Sequence, residues 1–405
     1  MTEQIDNAGK LRKISPFAVT VAAVVLVLFA SFIVYDGGQK EMDLDGDWHL
    51  ASYAEGYYDD DGSTVYETYD PKYLWDEVAT FEEIGDGIYS MHLDGSEYIC
   101  VANGNTMMTG GIWDFTNTSI LTKIEDTIIV SSFLDGYIGV ARMIFERQDP
   151  GDRLVAGSRE ASWGDSYEFQ EGDVYEAFIA NQYTEDGIID HLSENRYLTI
   201  NGVKPGIMFY NSHGDQTDLD FVAVKVSPND WMAISDYDSD TCLIDMVHIE
   251  DGVIYTASYD NTNGDIELWQ VCYGDESKVV KAPSTLWGKR YEGTFNAYVE
   301  ENGVVLRSME DEVAITFDFV DPNTNVIEVT LFAPEGDSYF GAMLFPNESG
   351  YSFYMESVYD NNGETFWGYY FGTISKDLKK ITIVGTADNA AGTYMIFNNV
   401  FKLAE

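Results

Sequence analysis

Residues 14–35 read ISPFAVTVAAVVLVLFASFIVY, a run without one charged side chain. About twenty apolar residues at ~1.5 Å rise each cover the ~30 Å hydrocarbon layer of a bilayer, so this run predicts a transmembrane helix. Lys10, Arg12 and Lys13 stand immediately before it and the acidic stretch DGGQKEMDLDGD follows. Positive residues are retained on the cytoplasmic side, which predicts a cytoplasmic tail (1–13), a single-pass anchor in the cell membrane (14–35) and an extracellular remainder. A cleavable signal peptide has a shorter apolar core followed by small residues; this run ends in Phe32-Ile33-Val34-Tyr35, which favours an uncleaved anchor.

Beyond Asp43 the pattern changes to short alternating segments such as Ile254-Tyr255-Thr256-Ala257-Ser258 and Phe353-Tyr354-Met355-Glu356-Ser357. Alternation is the signature of half-buried strands, and no sustained helical period interrupts it. Turn dipeptides punctuate the segments: Asp-Gly at 86–87, 94–95, 135–136, 186–187 and 251–252, and Asn-Gly at 103–104, 201–202, 263–264, 302–303 and 362–363. Such pairs supply the positive φ angles of tight hairpins. The expectation is an all-β fold of antiparallel barrel or sandwich modules outside the membrane.

The chain also repeats itself. Trp163-Gly164 with Tyr167-Glu168 recurs as Trp287-Gly288 with Tyr291-Glu292, and Ile124-Glu125-Asp126 recurs as Ile249-Glu250-Asp251. The stretch Ser258–Gly264 with Trp269 recurs as Ser357–Gly363 with Trp367, and Gly46, Gly172 and Gly293 open comparable strands. These offsets predict three modules, 43–150, 163–274 and 287–405, joined by polar connectors at Gln148–Ser162 and Gly274–Leu286 that limited proteolysis would nick first. Each module has room for about eight short strands, the size of a small up-and-down barrel.

Gly46-Asp47-Trp48, together with Arg142 or Arg147 on the last strand of the first module, resembles the lipocalin pattern. In that family the tryptophan of a G-x-W motif packs at the closed end of a barrel beneath a late arginine. The second module has Gly172-Asp173-Val174 and the third Gly293-Thr294-Phe295, so both depart from it. The resemblance implies calyx-shaped modules that hold a small apolar ligand. The Lys13-Ile14-Ser15-Pro16 entry to the apolar run is similar to that of archaeal type IV pilins, but Arg12 and Lys13 stand where that family has a small residue.

Charge narrows the partners. Seventy acidic residues against 22 basic ones leave −48, which repels phosphate backbones and argues against nucleic acid. The same surface attracts cations and basic surface partners. Oxygen-rich turns at Asp43-Leu44-Asp45-Gly46-Asp47, at Asp59 and Asp61, and at Asp236, Asp238 and Asp240 are candidate Ca²⁺ ligands, although none completes an EF-hand loop. Cys242 and Cys272 fall on the outer two of three successive strands, too far apart for a disulfide, so buried free thiols are expected. The five histidines show no metal spacing, and no catalytic or cofactor-binding motif is found. The leading reading is a non-enzymatic cell-surface binding or adhesion protein. A surface-layer structural protein with Ca²⁺-bridged modules and an exported hydrolase using paired carboxylates are the alternatives.

Overall fold

The computed structural model describes residues 42–404 apart from 60, 70–77, 86, 111–115, 135–137, 148–162, 164–166, 185–186, 191–194, 215–217, 236–243, 261–266, 302–303, 334–335, 348–349, 362–363 and 390–392. The apolar run 14–35 lies outside the described residues, among which no helix is long and apolar enough to cross a membrane. Among them the fold is all β, in three antiparallel barrels of eight strands.

Barrel 1 contains β1 (Trp48–Tyr58), β2 (Thr64–Tyr69), β3 (Val78–Gly85), β4 (Ile88–Leu93), β5 (Ser96–Asn103), β6 (Thr106–Gly110), β7 (Thr116–Ile124), β8 (Thr127–Phe133) and β9 (Gly139–Glu146). Strands follow one another around the ring and β9 closes on β1. The first strand is shared: its start pairs with β3 (Trp48 opposite Ala79) and its end with β2 (Tyr53 opposite Tyr69). Barrel 2 repeats the plan with β10 (Val174–Thr184), β11 (Gly187–Asp190), β12 (Arg196–Lys204), β13 (Ile207–Gly214), β14 (Asp218–Lys225), β15 (Asp230–Ser235), β16 (Ile244–Glu250), β17 (Val253–Asp260) and β18 (Glu267–Gly274). Here β10 meets β12 at its start, β11 at its end, and β18 on the other side.

Barrel 3 contains β19 (Arg290–Glu301), β20 (Val304–Val320), β21 (Val326–Ala333), β22 (Gly336–Asn347), β23 (Gly350–Asn361), β24 (Glu364–Ser375), β25 (Lys380–Asn389) and β26 (Thr393–Leu403), and closes through β26 on β19. One 17-residue strand, β20, does the work that β2 with β3 and β11 with β12 do elsewhere.

Turn chemistry explains much of this path. Asp94-Gly95 and Asp251-Gly252 both adopt positive φ at both positions, as a two-residue hairpin requires. Asn201-Gly202 is not a turn. It lies within β12 at a register shift against β13, a bulge, and the reversal comes later at Pro205-Gly206. Ile124-Glu125-Asp126 and Ile249-Glu250-Asp251 occupy equivalent hairpins, between the sixth and seventh strands of barrels 1 and 2. The Ser258–Gly264 and Ser357–Gly363 stretches do not: one follows the seventh strand of barrel 2, the other the fifth strand of barrel 3. Gly293 lies inside β19; the true counterpart of Gly46 (φ +97°) and Gly172 (φ +90°) is Gly288 (φ +73°), each two residues before the first strand.

The barrels are not beads on a string. Side chains alternate along β4, β5 and β14 as a pleated strand demands, but both sets are apolar. Tyr89, Met91 and Cys100 fill barrel 1, and Phe221 and Ala223 fill barrel 2. Their neighbours Ile88, Ile99, Val101, Val222 and Val224 point outward into one apolar core shared by all three barrels. Strands β5 and β6 meet β25, β9 meets β14, and β18 meets β22, so every barrel touches both others. Polar bonds pin the seams. Thr122 Oγ1 donates to Val226 O at 2.8 Å, Tyr183 Oη to Glu328 Oε2 at 2.8 Å, and Arg142 Nη1 to Pro205 O at 3.3 Å. Cys100 and Cys272 are buried free thiols, as expected of Cys272; Cys242 lies outside the described residues.

The connector at Gly274–Leu286 is held rather than loose. Asn325 accepts the Ala282 N–H at 2.7 Å and donates to Val280 O at 2.8 Å, Tyr255 Oη accepts the Val280 N–H at 3.1 Å, and Leu286 is fully buried. Cleavage needs the backbone released from such bonds. Trypsin is therefore expected to spare the bonds after Lys278 and Lys281 in the native protein, contrary to the expectation from the polar sequence. Early cleavage at either bond, read by mass spectrometry of the fragments, would contradict this packing.

Candidate functional site

The lower ends of barrels 1 and 2, where each first strand begins, are sealed. In barrel 1 Trp48 is fully buried and its Nε1–H donates to Leu44 O at 3.0 Å. The Arg147 guanidinium lies 4.8 Å over its ring and is held there by Asp43, with Nη1 to Oδ2 at 3.0 Å and Nη2 to the backbone O at 2.8 Å. This is the tryptophan-under-arginine arrangement that the G-x-W motif led one to expect, made by Arg147. Arg142 instead reaches barrel 2. Barrel 2 is sealed similarly: Lys225 Nζ stands 5.8 Å from the Trp163 ring and 5.4 Å from Trp231. A cation over an indole face is attracted by the ring's quadrupole, and both ends use it with aromatic packing.

The upper end of barrel 2 is different. Counting inward positions in steps of two from the packed core brings Arg196 (from Leu198), Tyr210 and Ser212 (from Met208), Ser235 (from Ala233), Asp245 (from Val247) and Tyr273 (from Val271) to the interior. The lower half of this interior is apolar and aromatic apart from Lys225 at its floor, and the upper half is polar. Asp245 is 3% exposed and its Oδ1 has no hydrogen-bond partner. Burial pushes its carboxyl up to about 7, against the opposing hydrogen bond from Ser258. The Tyr210 hydroxyl, the Ser235 hydroxyl and the Arg196 Nε–H are likewise buried without a partner. Burial, and then the nearby Asp245 charge, raise the Tyr210 hydroxyl well above its ordinary range. Tyr273 Oη and Ser212 Oγ share a hydrogen bond at 3.0 Å, and Tyr210 stacks on Phe221 at 4.7 Å.

Each buried polar group without a partner costs about 1–3 kcal/mol. Four at the upper end of one barrel, contributed by four strands, mark a place where packing was not the only constraint. Asp245 gives this a measurable sign. Its folded pKa near 7 lies above the ordinary 3.8, so the folded state holds the proton more tightly and stability falls as pH rises from about 4 to about 7. Asp245→Asn removes that loss. It is expected to stabilise the protein by up to about 4 kcal/mol at pH 8 and by little at pH 4, read by denaturant titration. A gain that is the same at both pH values would refute the burial of an ionisable Asp245.

The acidic turns fare differently. Asp59 Oδ1 accepts the N–H groups of Asp61 (3.0 Å) and Ser63 (3.2 Å), and Asp61 Oδ1 accepts Ser63 N–H at 3.0 Å. One oxygen of each carboxylate is bound within its own turn, and the hydrogen bonds from Asp61 and Ser63 hold Asp59 below the usual carboxylate range. In the first turn Asp43 is engaged by Arg147. Asp236, Asp238 and Asp240 lie outside the described residues. Among the described residues no three His, Cys, Asp or Glu side chains gather where an ion would be held. Millimolar Ca²⁺, Mg²⁺ and NaCl at matched ionic strength are expected to raise the melting temperature alike, by screening. A shift selective for Ca²⁺ and abolished by Asp236→Asn with Asp238→Asn would reverse this.

Asp245 was invisible beforehand among seventy acids. Its one legible signal is a charge at an inward position of the run Ile244-Asp245-Met246-Val247, where alternation calls for an apolar residue.

No protein-family model matches the chain, and no curated protein sequence does. Among solved structures it is similar to a protein of unknown function from the DUF3598 family of Nostoc punctiforme, at 8% identity over 61% of this chain and 100% of that one, TM-score 0.29. It is also similar to transferrin binding protein B of Haemophilus parasuis, at 8% identity over 89% of this chain and 76% of that one, TM-score 0.20. The same protein from Neisseria meningitidis matches at 10% identity over 89% and 77%, TM-score 0.20. Likeness at this level fixes neither a family nor a function.

Proposed function

We propose that this chain is a membrane-anchored, extracellular, non-enzymatic binding protein whose binding site is the upper interior of barrel 2. The observation that carries the reading is the set of unpartnered polar groups on Asp245, Tyr210, Ser235 and Arg196 above a floor sealed by apolar and aromatic side chains with Lys225. Ligand sites are mostly apolar concavities with a few convergent polar groups, and an eight-strand barrel has room for one small ligand. The anchor at 14–35 and its basic flank support an exported orientation. The buried hydrogen bond between His248 and Asp230 (2.7 Å) faces the Tyr255 and Phe345 rings at the seam of barrels 2 and 3, and so offers no general base to the barrel interior.

Two measurements test the reading. Protease added to intact cells should remove the acidic domain and leave a small membrane-bound fragment; complete protection would defeat the orientation. Native mass spectrometry of the full chain, extracted from its own membranes in mild detergent, should show a retained small molecule that Ser235→Phe, which fills the interior, no longer retains. Bare protein in both samples would defeat the binding role. A surface-layer structural role is the second reading, supported by the continuous core that joins the three barrels into one body.

A further inference from the structure

We infer that the upper interior of barrel 2 takes a small zwitterion, an amino-acid-like molecule that sets its ammonium against Asp245 and its carboxylate against Arg196. This rests on the binding role proposed above and adds the chemical class of the ligand.

The two charges come from opposite walls. Around the closed ring the order is β10, β12, β13, β14, β15, β16, β17, β18, so β12 and β16 stand four places apart among eight. Arg196 is the first residue of β12 and Asp245 the second of β16; both lie at the upper end and on the inward face. Neither is spent on the other: Arg196 Nε–H and Asp245 Oδ1 are each buried without a hydrogen-bond partner. Both groups are close enough to act on one hydroxyl, that of Tyr273: burial raises its pKa most, the Ser212 hydrogen bond and then Arg196 lower it, and Asp245 raises it. The Arg196 guanidinium keeps one face toward Trp269, 6.0 Å from the ring centroid.

A buried polar or charged group without a partner is costly. Asp245 is buried and the half-buried Arg196 keeps its Nε–H unpartnered, and a ligand with a single charge answers only one of the two. An amine would leave Arg196 as it is, and a carboxylic acid would leave Asp245 as it is. A zwitterion answers both and adds no net charge to the interior. Charge-assisted hydrogen bonds of this kind are the strong ones. The Tyr210 and Ser235 hydroxyls can each donate or accept, which suits the edges of an ammonium and a carboxylate. The stacked Tyr210 and Phe221 rings give a flat apolar wall for a ligand side chain. The raised pKa of Asp245 adds a signature. Below pH 7 the free site carries a proton, and an arriving ammonium expels it.

The test uses the full chain in detergent micelles and titration calorimetry. Each common L-amino acid is titrated, and the best binder is compared with its decarboxylated amine and its deaminated acid. The amino acid is expected to bind at least about tenfold tighter than either, the worth of one charge-assisted hydrogen bond. Binding at pH 6 should release close to one proton per ligand, read from buffers of different ionisation enthalpy, and binding at pH 8.5 none. Asp245→Asn should weaken the amino acid at least tenfold and abolish proton release. Arg196→Gln should weaken the amino acid equally but leave the amine unchanged. An amine or an acid that binds as tightly as the amino acid overturns the zwitterion and leaves the binding role standing. So does a failure of every amino acid to bind below roughly 1 mM while native mass spectrometry still shows another retained molecule. No binding and no retained molecule overturns both.

Discussion

Asp230→Ala is expected to destabilise the folded chain by about 3–5 kcal/mol, since it leaves several buried polar groups stranded at once. Asp230 is 2% exposed; its Oδ1 lies 2.7 Å from His248 Nδ1, and its Oδ2 accepts from the Ser227 hydroxyl. His248 already has no partner at Nε2, so loss of Asp230 leaves both of its ring nitrogens unsatisfied among the Tyr255 and Phe345 rings. Ser227 Oγ also accepts the Asp230 N–H at 3.0 Å, so the turn that starts β15 loosens with it. The companion His248→Phe in the Asp230→Ala background replaces both partners with apolar groups and should recover a large part of the loss. Chemical denaturation of the two variants decides the matter. A loss below about 1 kcal/mol for Asp230→Ala would mean that the pair carries no such weight.

Phe209→Ala should cost about 3–5 kcal/mol as well, and should do so for the whole molecule rather than for barrel 2 alone. Phe209 is an outward residue of β13 in the shared core, and the Tyr58 ring of barrel 1 meets it edge-on at 5.6 Å. The barrels approach closely there because Gly56 has no side chain: a Cβ at that position would lie 2.6 Å from Ile207 Cγ2 and 3.2 Å from Phe209 Cζ. Differential scanning calorimetry should show one cooperative transition in the native chain, displaced as a unit by Phe209→Ala. Three transitions, of which one moves, would show that the barrels melt independently and that the shared core couples them weakly.

The shared core also explains where sequence reading stops. Alternation, turn dipeptides and the absence of a helical period identify the strands, because each is a local consequence of backbone geometry, and the repeat points to three modules while leaving barrel or sandwich open. Gly46-Asp47-Trp48 was legible as a motif of neighbouring residues at a strand start, whereas its late arginine, far along the chain, comes only with the family resemblance, which leaves Arg142 and Arg147 both open. The second face of each strand was not legible. Ile88, Val101, Val222 and Val224 alternate with interior residues that are themselves apolar, and a run apolar on both faces says only that both are covered, not by what. The repeat gave a sound period of about eight strands but paired the wrong glycine, Gly293 for Gly288. Spacing in sequence drifts with every loop, whereas a positive φ two residues before a strand does not.

Asp245 marks the limit most sharply. One carboxylate among seventy carries no distinguishing mark until the strands close into a ring, because burial is set by residues far apart in the chain. The sequence by itself determined the strands, most of their turns and the acidic composition, all of which depend on residue identity or on neighbours within a few residues. Tertiary structure alone decided that the barrels share one core, that the connector at Gly274–Leu286 is tied down, and that Arg196 and Asp245 face one interior from opposite walls. Each of those follows from closure of antiparallel rings and from their outer apolar faces finding one another.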